Sequence, residues 1–175
     1  EDISHLVAGA FLHDVGKSGI PDSILLKGGS LTPAELQVMQ THPVLGTEIV
    51  TGNPWLQEAA VIIRHHHERL DGKGYPDGLR GEEIPLIARI FAVVDVFDAL
   101  TSERSYKSPM GLDEAMQIIL HESGSHFDPR IATAFMDIAP ALYVTITQAE
   151  MNVLQQRLHE ALLRYFKLGV LPPVV

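Results

Sequence analysis

The chain has 175 residues, 46% of them hydrophobic, no cysteine and a formal net charge of -9, which suits one domain with a sizeable core. That acidic balance argues against broad DNA or RNA binding, which rests on basic surface that neutralises phosphates, and any metal site must be built from nitrogen and oxygen ligands. No apolar run approaches the roughly 18 residues of a membrane span and no stretch reads as a secretory signal, so the expectation is a soluble, cytoplasmic protein.

Almost everything reads as helix. Ile3 to Asp14 carries apolar residues at helical spacing and stops near Gly16, before a turn at Gly19-Ile20-Pro21-Asp22. A short piece from Ser23 to Leu26 precedes the Gly28-Gly29 loop. Thr32-Pro33-Ala34-Glu35 is a capping box with proline at the first helical position and predicts a helix to about Gln40. Pro43 pushes the residue before it out of the α region, which places His42 at a helix junction.

Helices follow from Val44 to Thr51 and from about Leu56 up to the run His65-His66-His67. Leu70 to Pro85 carries four glycines and two prolines, which is loop chemistry, and a loop this long inside a compact domain is usually functional. Leu86 to Leu100 is the most apolar helix, with Arg89, Asp95 and Asp98 its only charged positions, and is expected to be buried nearly all round. Leu112 to Ser123 and Pro129 to Ile138 read as two more helices. The last, from about Thr147 to Lys167, is amphipathic behind a second capping box, Thr147-Gln148-Ala149-Glu150.

His13-Asp14 is the centre of the pattern, because a histidine and a carboxylate adjoin where an apolar helix meets a glycine. A desolvated carboxylate needs a hydrogen-bonded counter-charge or a metal. His42, the histidine run, and Asp95 in an apolar helix supply the other parts of a metal site. Imidazoles with shared carboxylates suit iron or manganese, with zinc, nickel or cobalt also admissible. Asp14 is the natural bridge. Two ions about 3.5 to 4 Å apart can polarise a phosphoryl oxygen and stabilise a leaving oxygen, which suits hydrolysis of a phosphate ester. Lys17 would then place an ammonium near the phosphate; as a plain alternative it is a helix C-terminal cation. Lys73, Arg80, Arg104 and Lys107 also lie close in sequence to these motifs.

Taken together, His13-Asp14-Val15-Gly16-Lys17, Gly19-Ile20-Pro21-Asp22, Thr41-His42-Pro43, His66-His67-Glu68 through Gly74-Tyr75-Pro76, and Asp95 through Thr101 resemble, in order, the HD-GYP family of cyclic di-GMP phosphodiesterases within the wider HD phosphohydrolases. The resemblance covers roughly residues 1–137. It implies an all-α HD-domain helical bundle with a long GYP loop, here with an added C-terminal helix: an HD-GYP domain over 1–140 and a helical extension over 141–175. It implies two divalent metals, with a third allowed for. His13, Asp14 and Asp95 would hold one, and Asp14, His42, His66 and His67 the other. Lys17, Arg104 and Lys107 match residues that meet the substrate's phosphates, and Tyr75 and Pro76 belong to the loop that shapes the site. That loop is also the expected contact for diguanylate cyclase domains. His65 falls outside the matched pair.

The family carries a further metal-binding histidine on a helix upstream of the HD pair, and that helix is expected to lie outside these residues. His5 is not taken as its replacement, since it stands eight positions, or about 12 Å of helix, before His13. The implied activity is hydrolysis of cyclic di-GMP to linear pGpG, and onward to GMP, with Asp14 and Lys17 at the reacting centre. The rivals are a different HD phosphohydrolase and a catalytically silent cyclic di-GMP receptor or interaction module. The last helix is compatible with a homodimer, although its default reading is a contact within the domain.

Overall fold

Apolar spacing makes Ile3–Leu12 a helix, α1, yet it stops two residues short of the expected end at Asp14. The His13 ring turns back so that Nδ1 donates to the Ala10 carbonyl at 2.7 Å. Asp14 leaves helical geometry at φ -98° and ψ 6°, and the chain tightens into a 3-10 turn, Val15–Gly19. The His13-Asp14 pair therefore stands just past the end of α1, with the His13 ring tied back to its last turn. The computed structural model describes residues 3–57, 59–103 and 108–165.

A short α2 (Asp22–Leu25) leads to α3 (Pro33–Met39), which opens on the expected capping box: the Thr32 hydroxyl accepts the Glu35 N–H at 3.3 Å and the Glu35 carboxylate accepts the Thr32 N–H at 2.7 Å. Next comes α4 (His42–Thr51), with His42 its first residue, and then α5 (Ala59–His65). The long loop, which includes a 3-10 turn at Gly81–Glu83, precedes α6 (Leu86–Thr101), α7 (Leu112–His121), α8 (Pro129–Gln148) and α9 (Met151–Tyr165). Among the described residues there is no strand, only single bridges at Asp71–Arg80 and Ser123–Phe127. The fold is all-α, and among the described residues no helix is long and apolar enough to cross a membrane.

Two apolar clusters organise the helices. Ala8, Val50, Leu56, Ala59 and Ile63 join α1, α4 and α5; Val93, Phe97, Ala115, Ile119, Phe127, Ala132, Phe135 and Ala139 join α6, α7 and α8. Because α6 also packs on α1 and α5, it links the clusters and carries Asp95 toward the end of α1. The last helix packs back on α1, a contact within the domain.

Three further expectations change. First, α6 is not buried all round: Leu86 is 47% exposed and Val94 42%, and with Ile90 they form a stripe at four-residue spacing along a groove of about 710 Å³ facing α8. Second, α8 continues ten residues past its expected end at Ile138. Pro140 removes one N–H from the ladder, but Ala139 is buried and Tyr143 packs on the same cluster, so burial carries the helix across the proline. Third, Thr147 caps nothing. It lies inside α8, where its hydroxyl donates to the Tyr143 carbonyl at 2.7 Å.

Candidate metal centre

Close backbone packing brings the centre together. A Cβ on Gly16 would overlap the His42 carbonyl oxygen and the Gly46 amide nitrogen, and one on Gly46 would fall 2.7 Å from Cγ2 of Ile63. Two glycines thus let the turn after His13-Asp14 lie directly on the start of α4, and let α4 lie on α5. The end of α1, the first residue of α4 and the residues just beyond α5 meet at one point, with α6 alongside.

Three of the imidazoles are oriented by the same device. Nδ1 of His13, His42 and His66 lies 2.7, 2.8 and 2.9 Å from the carbonyl oxygen three residues earlier, of Ala10, Met39 and Ile63. A carbonyl only accepts, so Nδ1 carries the proton and donates, and Nε2 is the nitrogen turned toward the centre, with its lone pair free wherever the ring is neutral.

Asp14 divides its oxygens between two sides. Oδ1 lies 3.4 Å from Nε2 of His42 and 3.9 Å from Nε2 of His66; Oδ2 lies 3.3 Å from Nε2 of His13 and 2.6 Å from Nζ of Lys17. His13 in turn stands 3.7 Å from Oδ1 of Asp95. The ligand atoms of Asp14, His42, His66 and His67 all lie within 4.8 Å of one another.

Two observations test whether a cation fits. Oδ1 of Asp14 is buried and accepts no hydrogen bond from the described residues. Nε2 of His42 and Nε2 of His66 face each other at 3.3 Å, although the tautomers set by Met39 and Ile63 leave neither with a proton to share. Buried acceptors converging without a donor are costly. A divalent ion removes the cost, and nitrogen and oxygen donors of this kind suit it.

The charge states agree. Burial, followed by the nearby His13, pulls His66 down to about 4, and burial, followed by His66 and His42, pulls His67 down to about 2. Burial also lowers His42. All three are therefore neutral near pH 7, the state that ligates metal. For His13, burial opposes protonation, but its hydrogen bonds to Asp14 and Ala10 and the charges of Asp14 and Asp95 outweigh it and raise the pKa. For Asp14, burial pushes upward, but contacts with His13 and Lys17 outweigh it and hold the carboxyl well below the usual carboxylate range.

Aromatic rings wall the centre. Phe91 lies 5.2 Å from His13 and 6.3 Å from His66, centroid to centroid, and Tyr75 lies 4.7 Å from His67. Pro76 follows Tyr75 in the loop through a cis peptide bond. Of the residues singled out from sequence, His13, Asp14, Lys17, His42, His66, His67, Tyr75 and Asp95 are thus gathered in one region. Arg104 and Lys107 lie outside the described residues. His65 points elsewhere, its Nδ1 3.4 Å from Oδ2 of Asp77. Sequence reasoning missed Gly16 and Gly46 as packing contacts, Phe91 as a wall, and Glu68, which is 2% exposed. A carboxylate directly after two candidate ligands, at the mouth of a glycine-rich loop, was the one available signal for Glu68.

Comparison with known proteins adds an independent line. The family model for the HD domain matches residues 3–131. The chain is 50% identical over 138 residues to the cyclic di-GMP phosphodiesterase response regulator RpfG of Xanthomonas campestris, a match covering 78% of this chain and 36% of that protein. It is 46% identical over 138 residues to a cyclic di-GMP phosphodiesterase of Thermotoga maritima, covering 78% and 38%. A crystal structure of a cyclic GMP-AMP specific phosphodiesterase of Vibrio cholerae superposes with a TM-score of 0.64 at 22% identity, over 88% of this chain and 42% of that one. At that identity the likeness is one of fold. The chain spans little more than a third of the length of these two curated relatives.

Proposed function

The chain belongs to the HD domain family, and on that premise we propose that it carries the catalytic centre of a metal-dependent phosphodiesterase that hydrolyses cyclic di-GMP to linear pGpG and onward to GMP. The observation that carries the reading is the division of Asp14, with Oδ1 toward His42 and His66 and Oδ2 toward His13. A carboxylate so placed would serve two ions at once. His13, Asp14 and Asp95 would hold one, and Asp14, His42, His66 and His67 the other. Bound there, two divalent ions would supply the positive charge that polarises a phosphoryl oxygen and stabilises the leaving oxygen.

The chain's own residues do the rest. Lys17, at the Oδ2 edge of Asp14, holds a phosphate oxygen by charge and hydrogen bonding, a role shared with Arg104 and Lys107. Tyr75 and Pro76 line the nucleotide side of the centre. Phe91 closes the α6 side and keeps water from His13 and His66. Positioning and preorganised charge carry the rate enhancement, with no covalent intermediate required of the protein.

The choice of substrate is supported by the cyclic di-GMP phosphodiesterase activity named for the two relatives, at 50% and 46% identity. An all-nitrogen-and-oxygen donor set supports iron or manganese, with room in the reading for a third ion. Diguanylate cyclase domains remain the proposed partners of the loop, α9 the proposed contact of any homodimer, and the cytoplasm the proposed setting. Asp14→Ala removes both ions together, as measured by metal analysis of the purified protein; full occupancy in that variant would overturn the bridging role.

A further inference from the structure

His67 is the exception among the clustered imidazoles. The rings of His13, His42 and His66 are each fixed by a carbonyl three residues back, but among the described residues no carbonyl does this for His67. Three rings lie against it, those of His66, Tyr75 and His42, with centroids 4.0, 4.7 and 5.0 Å away. His66 and His42 are already held by their own carbonyls, and Tyr75, with its plane at 33°, is the wall that the loop supplies. With the two histidine walls fixed, the remaining freedom of His67 is set on the loop side by whatever fixes Tyr75.

Tyr75 is fixed by backbone. Its N–H donates to the His67 carbonyl at 3.2 Å. A Cβ on Gly74 would lie 2.5 Å from Cα of Glu68 and 2.6 Å from the His67 carbonyl oxygen, so this glycine lets the loop lie flat on the chain just after the ligands. Directly beyond Pro76, three successive amides, of Asp77, Gly78 and Leu79, donate to the Glu68 carboxylate at 2.7, 3.1 and 3.0 Å. Glu68 is buried, and these amides satisfy both its oxygens.

A metal at Glu68 is the rival reading, since His65, Glu68 and Asp77 also bring ligand atoms within 4.8 Å of one another. The oxygens there are already engaged. Those of Glu68 take the three amides, and those of Asp77 take the Arg64 guanidinium at 2.7 and 2.8 Å. A buried carboxylate whose two oxygens both accept backbone N–H groups of one loop is a latch.

We infer that Glu68 is a positioning residue for the second metal half-site: by gathering the amides of Asp77, Gly78 and Leu79 it holds the loop that presses Tyr75 against His67, and so closes the loop side of the one clustered imidazole that, among the described residues, no carbonyl orients. This deepens the two-metal reading and rests on it for its consequence, but the linkage from Glu68 to His67 is present without metal. Outer contacts of this kind typically change metal affinity by about 10- to 100-fold.

The test separates the two. In metal-free protein, the ring proton signals of His67, assigned by their loss in His67→Gln, are compared by NMR among the parent, Glu68→Gln and Tyr75→Ala. Glu68→Gln places an amide donor where a carboxylate oxygen received an N–H. Its His67 signals should move toward those of Tyr75→Ala while those of His42 stay in place, and the amides of 77–79 should exchange faster. Unmoved His67 signals alongside fast amide exchange would overturn the proposal and leave Glu68 a loop tether only. Where Glu68→Gln does not fold, Glu68→Asp, which keeps the charge but shortens the reach, is read the same way. In manganese titrations, affinity for the second ion should fall about 10-fold with the first within twofold, and equal loss at both sites would also count against the proposal. A parent protein that binds a single ion would overturn the two-metal reading, while the metal-free His67 shift still decides the role of Glu68.

Discussion

Nζ of Lys17 lies 2.6 Å from Oδ2 of Asp14, on the side of the carboxylate away from His42 and His66. One ammonium thus occupies an oxygen that the proposed function gives to a divalent ion, at the place where a phosphate would arrive. Lys17 is 38% exposed and no hydrophobic cluster depends on it. Lys17→Met should leave the fold and metal content intact while lowering kcat by about 100-fold, the scale for losing one preorganised charge at a reacting centre. Steady-state rates with metal analysis of the same preparation check this. Activity within threefold of the parent would remove Lys17 from the mechanism.

Gly16 makes a prediction about stability. Its Cβ would overlap backbone atoms of His42 and Gly46, which have no rotamer through which to yield. Gly16→Ala should cost about 3 kcal/mol, at the upper end of ordinary overpacking, and displace His42 from the centre. A Cβ added at Gly28 or Gly29 would meet nothing within 4 Å, so alanine at either should change stability by only about 0.5 kcal/mol. Urea denaturation of the three variants gives the comparison.

His126 gives a pH signature away from the metal centre. Burial, then the charge of Arg69, lowers it to about 4, and its ring stacks on Phe127 at 4.2 Å. Between pH 6.5 and 4 the unfolded chain holds a proton on this residue that the folded chain does not. Its contribution is fully present above about 6.5 and is lost as pH falls toward 4, at up to about 1.4 kcal/mol per pH unit. In metal-free protein, His126→Gln should flatten the fall in stability between pH 6.5 and 5 by up to one proton's worth. An unchanged slope would mean that His126 titrates alike in both states. His66, also near 4, adds to the slope of parent and variant equally.

How much of this was legible beforehand depends on the range of the forces involved. The capping box at Thr32 to Glu35 and the loop after Leu70 follow from local chemistry and stand where local chemistry puts them, whereas α4 begins at His42 itself, two residues before the expected Val44, with proline at its second position. The continuation of α8 through Pro140 was not legible, because it depends on burial of Ala139 against helices distant in sequence. The Thr147 box misled for the same reason: its pattern is correct, but the helix around it had not yet ended. His13, Asp14, His42 and the histidine run were visible as the parts of a metal site from their residue types, and the choice of His66 and His67 within the run came from the family resemblance. The device that aims three of them, a carbonyl three residues back, was not, since it arises only once each helix end is formed. Glu68 was visible as a letter and invisible as a latch, because its three partners follow it by nine to eleven positions across a loop without periodicity.

The measurement that bears most directly on the central claim is chromatographic detection of cyclic di-GMP breakdown by the protein carrying this chain, loaded anaerobically with iron or manganese, with His13→Ala as control. Linear pGpG is expected from the parent and none from the control. Intact cyclic di-GMP after incubation with protein that holds two ions would contradict the phosphodiesterase reading and favour a binding module in place of an enzyme.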